Sequence, residues 1–258
     1  MRESFFEAAG PGRFWATTAS AGPWSPDSQH GGPPSALAAR ELEGHEPDEH
    51  MRLSRVAIDI LRPVPVGGLT ARTRTVRPGK RVALLETVLE SGGQEVLHAR
   101  GWRIARLADA PVVSKDALPP TLPAAVRPAS FPGGHVDGYL SHIEWRFEGG
   151  NFDVPGPCRA WGRPMIPLLP GEAIAPMPLT LLLADTGSGI SMTLDPQQFI
   201  FINVDLMVVL QRDPVGEWLL LDAATSMGGT GTGLAETQLS DTGGLVGAAM
   251  QTLLVSPR

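Results

Sequence analysis

The stretch His30-Gly31-Gly32-Pro33-Pro34-Ser35-Ala36-Leu37-Ala38-Ala39-Arg40 decides the fold. Proline fits the first turn of a helix, where its missing N–H lacks a partner in any case. Gly44 stands where a helix stop is expected, and a polar side chain at position 27, 28 or 29 is expected to cap the free amides. Since the helix carries no charge before Arg40, we expect it to be buried on most faces, with a sheet wrapped around it.

Antiparallel strands are predicted on both sides of this helix. A strand around Phe14 and Trp15 comes before it. Four strands come after it, because alternating apolar residues are separated by short turns rich in glycine and proline. They span residues 53–61, 69–76, 82–90 and 95–105. Residues 106–132 then carry six prolines with little periodicity, which is typical of an extended linker.

The same order of elements returns after the linker. A short apolar helix runs from Pro178 to Asp185, and predicted strands flank it at 141–147, 158–165, 199–210, 217–226, 233–239 and 245–255. Two turn signatures also recur about 150 residues apart. They are Arg62 with Pro65-Val66-Gly67 against Arg212 with Pro214-Val215-Gly216, and Gly92-Gly93 against Gly243-Gly244. The sequence therefore predicts an internally duplicated α+β chain, with units at 1–105 and 133–258 joined by a linker at 106–132.

Composition excludes several classes of protein. A formal net charge of −6 argues against a general nucleic-acid or membrane-surface role. The single cysteine, Cys158, cannot form an internal disulfide, so we expect a reducing, cytoplasmic location. The first residues are too acidic and broken for a signal peptide, and no apolar run approaches the roughly 20 residues of a membrane span.

Basic residues are concentrated in one region. Residues 51–106 hold eleven Arg and Lys against four Asp and Glu. Five of the cations, Arg72, Arg74, Arg77, Lys80 and Arg81, suit the phosphates of a small polyanionic ligand. They equally suit a solvated, charged sheet face, and the sequence leaves both interpretations open.

Short motifs in a fixed order connect the chain to a family. They are Gly22-Pro23-Trp24 through His30-Gly31-Gly32, Leu61-Arg62-Pro63, Arg77-Pro78-Gly79-Lys80, Leu183-Ala184-Asp185, Val204-Asp205-Leu206, Gly216-Glu217-Trp218-Leu219 and Gln251. With these motifs, nearly the whole chain resembles the double-hotdog acyl-CoA thioesterases of the type II, or medium/long-chain, class. The resemblance implies an α+β double hotdog: two tandem units, each an antiparallel sheet wrapped around a central helix.

The resemblance also implies an activity and a site. It implies hydrolysis of acyl-CoA to a free acid and CoA in fatty-acid metabolism, without metal or redox cofactor, in a chain that can pair further into a homo-oligomer. The family uses an Asp on the second helix, a Gln in the last strand and a Ser or Thr two residues before an Asp. Here these places hold Asp185, Gln251 and Asn203, so an amide replaces the hydroxyl.

The residue types fit thioester hydrolysis. A carboxylate can act as general base toward water, which is the role we predict for Asp185. The amides of Asn203 and Gln251 can order that water or stabilise the oxyanion. Gly31 and Gly32 allow close approach of a ligand to amides at a helix start, so we predict that they bind substrate.

Each of these residues also has an ordinary structural interpretation. Asp185 can bond the backbone that follows its helix, while Asn203 and Gln251 can be strand residues that face a loop or solvent. His30 is expected to be a side chain of the loop that enters the helix. Because Asn203 cannot relay a proton, an acyl-CoA or acyl-chain binding protein with a degenerate site stays open as an alternative. A hotdog hydratase is less consistent, since its Asp–His pair is not evident near either helix.

Three other motifs carry no function in this interpretation. Residues 224–228 resemble a nucleophile elbow, but all six histidines precede Ser226, whereas that elbow needs a later histidine. The glycine-rich run 228–233 lacks the spacing and the lysine of a phosphate loop and predicts a hairpin turn. Residues 45–50 contain two histidines and three carboxylates, but their spacing matches no recognised metal site, so a solvated loop is expected.

Overall fold

The computed structural model describes residues 3–113, 119–124, 131–132 and 137–258. The helices in these ranges are α1 (Gly32–Gly44), α2 (Pro176–Ala184) and the short α3 (Gly187–Ile190). The strands are β1 Phe6–Gly10, β2 Arg13–Ala16, β3 Met51–Ile60, β4 Gly68–Arg77, β5 Val82–Ser91, β6 Gln94–Ala105, β7 Ile143–Asn151, β8 Val154–Pro164, β9 Phe199–Asn203, β10 Asp205–Leu210, β11 Leu219–Met227, β12 Thr232–Asp241 and β13 Gly244–Pro257.

All of these strands join one antiparallel sheet whose order repeats. The order is β1-β2-β4-β5-β6-β3 and then β10-β13-β12-β11-β8-β7, with β9 paired to β13. In each series a hairpin leads into a helix. After α1, β3 takes the inner end of the first series; after α2 and α3, β10, which follows β9, takes the inner end of the second. The two series meet where β3 pairs with β10. The sequence-predicted repetition of elements is therefore visible in the strand order, and the sheet is continuous through the seam.

The two helices pack against each other inside the sheet. Gly32, at the start of α1, lies against Leu182 near the end of α2, so the helices run antiparallel. A Cβ on Gly32 would lie 2.3 Å from the carbonyl oxygen of Leu182, and only a residue without a side chain permits that approach. Both helices are apolar on nearly every face, and their leucines and alanines belong to the buried core. This contact places the start of α1 beside the end of α2.

Three local details differ from the sequence predictions. The N-cap of α1 is Gly31, and no side chain from residues 27–29 caps the helix. The side chain that accepts a hydrogen bond from the first helical amide is that of His30. Phe6–Gly10 forms a strand that the sequence pattern did not reveal, because its only buried member is Phe6. The strand predicted over 199–210 is two strands, β9 and β10, which Val204 separates.

Two arginines of the basic region, Arg72 and Arg74, belong to a charged face of the sheet. Arg72 pairs with Glu90, and Arg74 pairs with Glu86, across the β4–β5 ladder. A different arginine, Arg103, is buried and donates to four carbonyl oxygens at the end of α1, those of Leu42, Glu43, His45 and Glu46. These contacts stabilise the sheet and satisfy the last turn of the helix.

The predicted linker is only partly covered by the structure. Residues 114–118 and 125–130 of the segment 106–132 lie outside the described residues, as do 133–136 at the start of the predicted second unit. Within the described part, Arg146 donates to the carbonyl oxygen of Pro123 at 2.8 Å, and Phe131 is buried against other aromatic rings. Pro123 and Phe131 thus contact folded parts of the chain, whereas residues 106–113 of the segment are exposed.

Candidate functional site

Asp185 lies at the centre of a buried polar cluster. It is the C-terminal cap of α2, directly after eight buried residues of that helix, and its side chain is only 3% exposed. A carboxylate with so little access to water must receive hydrogen bonds from the protein. The neighbouring side chains supply them.

Asn203 supplies the first hydrogen bond. Its Nδ2 donates to Oδ1 of Asp185 at 2.8 Å and to the backbone oxygen of Asp205 at 3.1 Å. The break between β9 and β10 makes this possible. Asn203 pairs with Leu253 of β13, but Met207 pairs with Met250, which is one residue out of step. This bulge lets both Asn203 and Leu206 face inward, although an unbroken strand would turn one of them outward.

Gln251 supplies the second contact and holds the backbone as well. Its Nε2 donates to the backbone oxygen of Asp185 at 3.0 Å and lies 3.4 Å from Oδ1. Its Oε1 accepts a hydrogen bond from the amide of Ser188 at 3.0 Å. The residue is 1% exposed, so both ends of its amide are occupied by protein. It therefore links Asp185 to the start of α3.

His30 is the member of the cluster that the sequence interpretation missed. Its Nδ1 lies 2.9 Å from Oδ2 of Asp185, and its ring stacks on Tyr139 with centroids 4.0 Å apart. His30 does lie in the loop that enters α1, as expected, and its position directly before Gly31 was the available signal. What the sequence interpretation did not assign is the contact with Asp185, which the antiparallel helices create. Nothing in local sequence reports that contact.

Tyr139 holds the other side of His30 without carrying charge. Its hydroxyl bonds to the backbone oxygen of Leu182 and to the hydroxyl of Thr186, each at 2.8 Å. Complete burial, with the Asp185 charge nearby, raises the pKa of this hydroxyl well above its usual range, although the bond to Thr186 opposes the rise. The phenol is therefore neutral and acts as a fixed wall for the imidazole.

Gly31 stands directly beside the carboxylate, and Gly32 stands beside His30. A Cβ on Gly31 would lie 2.7 and 2.8 Å from the two Asp185 oxygens, so the backbone of residue 31 touches the carboxylate. The amide of Gly32 points at Nδ1 of His30 at 3.1 Å. The structure therefore brings together Asp185, Asn203, Gln251, Gly31 and Gly32, which were selected from both ends of the sequence.

The cluster has the parts that water-dependent acyl transfer needs. A carboxylate has about four lone-pair positions, so Oδ2 of Asp185 can accept a hydrogen bond from water in addition to its contact with His30. The start of α1 adds the positive end of a helix dipole and backbone amides. A carboxylate and backbone N–H donors thus lie side by side, which are the kinds of group that general-base and oxyanion chemistry uses.

The opposite end of the helix pair is built differently. A cavity of about 860 Å³ lies there, lined by Glu43, Arg52, Arg103, Arg106, Pro176 and Asp213 among others. At this end, Arg103 binds the carbonyl oxygens at the end of α1. At the other end of the helix pair, Asp185 and Gln251 lie at the end of α2. Across the described ranges, no group of three or more His, Cys, Asp or Glu side chains is arranged to hold a metal ion.

Comparison with known proteins gives two family matches that follow each other along the chain. Residues 20–104 match the model described as an acyl-CoA thioesterase N-terminal domain. Residues 120–255 match the model described as an acyl-CoA thioesterase C-terminal domain. A search of curated proteins finds no match.

Solved structures share the fold at low sequence identity. A hotdog-fold protein of unknown function from Alicyclobacillus acidocaldarius has a TM-score of 0.75 and 14% identity, covering 98% of this chain and 95% of that one. Acyl-CoA thioesterase II TesB2 from Mycobacterium marinum has a TM-score of 0.66 and 18% identity, covering 98% and 95%. The tesB protein of Mycobacterium avium subs paratuberculosis has a TM-score of 0.67 and 17% identity, covering 98% and 96%. The fold is therefore an α+β hotdog fold.

In the part of the chain that the structure describes, no helix is sufficiently long and apolar to cross a bilayer.

Proposed function

The chain belongs to the acyl-CoA thioesterase family, and on this premise we propose that it hydrolyses acyl-CoA thioesters to a free acid and CoA. One observation carries the proposal: a buried carboxylate, Asp185, is held by two side-chain amides directly beside the start of a helix. General bases in enzymes are held in this way, within reach of a water and next to donors for the oxyanion.

In the proposed reaction, Asp185 takes a proton from water as the water oxygen attacks the thioester carbonyl carbon. Amides at the start of α1 stabilise the oxygen that becomes negative. The tetrahedral intermediate then collapses, the carbon–sulfur bond breaks, and the thiolate of CoA takes up the proton. Atoms and charge balance with water as the only co-reactant, so the steps require neither a metal nor a redox cofactor.

The two amide residues have different parts in this proposal. Asn203 is half-buried and holds Oδ1 of Asp185, so it can also contact the attacking water. Gln251 is 1% exposed and has both ends of its amide bonded, so we assign it to positioning Asp185. The sequence interpretation had given both residues a water-ordering role, and burial is the reason to separate them.

We also propose that the chain is a double hotdog with an N-terminal unit at 1–105, a linker at 106–132 and a C-terminal unit at 133–258. The repeated strand order and the two successive family matches support this division. The single cysteine supports a cytoplasmic location.

The test is thiol release from short-, medium- and long-chain acyl-CoAs by wild type, Asp185→Asn and Asp153→Asn. Asp185→Asn keeps the shape of the side chain but removes the base, so we expect kcat to fall by about 10²- to 10⁴-fold. Asp153 is exposed in the β7–β8 turn, so Asp153→Asn should match wild type.

Two outcomes would overturn the proposal. Full activity of a folded Asp185→Asn variant would remove Asp185 as the base. If wild type releases no thiol but retains acyl-CoA in equilibrium dialysis, the chain is an acyl-CoA binding protein. Asn203, which stands where the resemblance places a hydroxyl, favours that second candidate.

A further inference from the structure

One nitrogen of His30 lies within hydrogen-bond distance of two groups. Its Nδ1 is 2.9 Å from Oδ2 of Asp185 and 3.1 Å from the amide nitrogen of Gly32, whose N–H points toward it. The ring itself is held flat against Tyr139, with an interplanar angle of 14°. This stacking fixes the plane of the imidazole, and in that plane Nδ1 faces both neighbours.

A single ring nitrogen can serve only one of these two groups at a time. In the plane of an imidazole, Nδ1 presents either a proton or a lone pair. A lone pair accepts the N–H of Gly32 but faces the lone pairs of an ionised Asp185. A proton on Nδ1 donates to Asp185 but leaves the N–H of Gly32 without this acceptor. A charge-assisted hydrogen bond to a buried carboxylate is the stronger of the two, so the proton belongs between His30 and an ionised Asp185.

Resting on the hydrolysis proposed above, we propose that His30 is a positioning residue that couples the base to the oxyanion donor. While Nδ1–H holds Oδ2 of Asp185, the amide of Gly32 is free to bind the carbonyl oxygen of the thioester. When Asp185 takes the proton of the attacking water at the remaining lone pair of Oδ2, the Nδ1 proton stays on His30 and holds the carboxyl group in place until the transferred proton passes to the thiolate of CoA. Among the described residues, the titratable groups in contact with the ring are Asp185 at the C-cap of α2 and Tyr139 from the turn that precedes β7.

Three substitutions separate this role from simple packing. His30→Asn places a side-chain amide near the position of Nδ1, and His30→Gln places it near the position of Nε2. His30→Phe keeps the ring that stacks on Tyr139 but has no nitrogen. All three are compared with wild type for kcat and KM across pH 5–9 on one acyl-CoA, with thermal melting as the check of folding.

We expect His30→Asn to retain kcat within about 10-fold, and His30→Gln and His30→Phe to lose about 100-fold, with smaller changes in KM. The acid limb of the kcat profile should also shift in the Gln and Phe variants. A purely structural role would make melting temperature, and not the position of the amide, predict kcat. Equal kcat for the Asn and Gln variants, or wild-type kcat in the Phe variant, would overturn the proposal.

A second readout does not depend on hydrolysis. The ring nitrogens of His30 can be assigned by nitrogen-15 NMR of the full chain, using His30→Asn to identify its signals. We expect Nδ1 to carry a proton in wild type at pH 7 and to lose it in Asp185→Asn, where no carboxylate faces it. An Nδ1 without a proton in wild type refutes the proposal. If no acyl-CoA is hydrolysed, this result still decides about His30, while the proposed function fails separately.

Discussion

Gly32→Ala tests the helix–helix contact on which the site depends. The added Cβ would lie 2.3 Å from the carbonyl oxygen of Leu182, whereas ordinary contacts begin near 3.4 Å, so the helices must separate by about 1 Å. Overpacking of this kind costs about 1–3 kcal/mol, and alanine recovers at most about 1 kcal/mol in helix propensity. We expect a net loss of about 2 kcal/mol and reduced kcat, because Leu182 belongs to the turn that positions Asp185.

The same helix offers a matched control at its other end. An alanine Cβ at Gly44 meets nothing within 4 Å, and Gly44 is not among the glycines with positive φ. Gly44→Ala should therefore leave stability unchanged or raise it by up to about 1 kcal/mol. The two variants should differ by about 5–10 °C in melting temperature. If they melt within 1 °C of each other, the close approach of α1 to α2 is not present in solution.

Two further predictions concern charged residues. Burial, together with the nearby carboxylate of Asp213, raises the pKa of Glu43 to about 7. Between about pH 4 and 7 the folded state therefore keeps a proton on Glu43 that the unfolded chain has released. The free energy of unfolding thus falls as pH rises through this range. Glu43→Gln should match wild type at pH 5 and exceed it by about 1–2 kcal/mol at pH 8, and urea unfolding with no difference at pH 8 would contradict this. Burial opposes ionisation of Asp241, but Arg212 and two backbone amides outweigh it and hold the pKa of Asp241 below its usual range. Asp241→Asn should therefore lower the free energy of unfolding by about 3 kcal/mol at pH 7. This loss should shrink as pH falls below about 4, because the wild-type carboxylate is then protonated. Urea unfolding at pH 7 and pH 3 checks this, and an equal loss at both pH values would refute it.

Much of the fold could be predicted from the sequence, because its cues are local. The Gly-Gly-Pro-Pro stretch begins α1 where expected, and Gly44 ends it. Alternating apolar residues place β3 to β6 within two residues of their observed bounds. The β1 strand escaped detection because four of its five residues are exposed. Its pairing with β2, and not its own pattern, makes it a strand.

The candidate site shows where local cues end. Asp185, Asn203 and Gln251 were selected through a family resemblance, and their roles stay predictions. His30 is assigned from the sequence only to the loop before α1. Its contact with Asp185 joins residues 155 positions apart, and because only the packing of two helices creates it, no local pattern reveals it. The bulge at Val204 is equally non-local, since it appears as a one-residue shift in pairing with β13. In both cases the deciding information is held by a distant partner.

Because the two series of strands meet where β3 pairs with β10, the candidate site is complete only when both series are present. His30 and Gly31 come from one side of that seam, while Asp185, Asn203 and Gln251 come from the other. If the chain hydrolyses acyl-CoA as proposed and is divided within 114–118, thiol release should require both pieces, and fusing the pieces to two other proteins would make thiol release depend on the association of those proteins. Each piece alone would hold either the Asp185 carboxylate or the start of α1. Thiol release would therefore require both pieces in one complex.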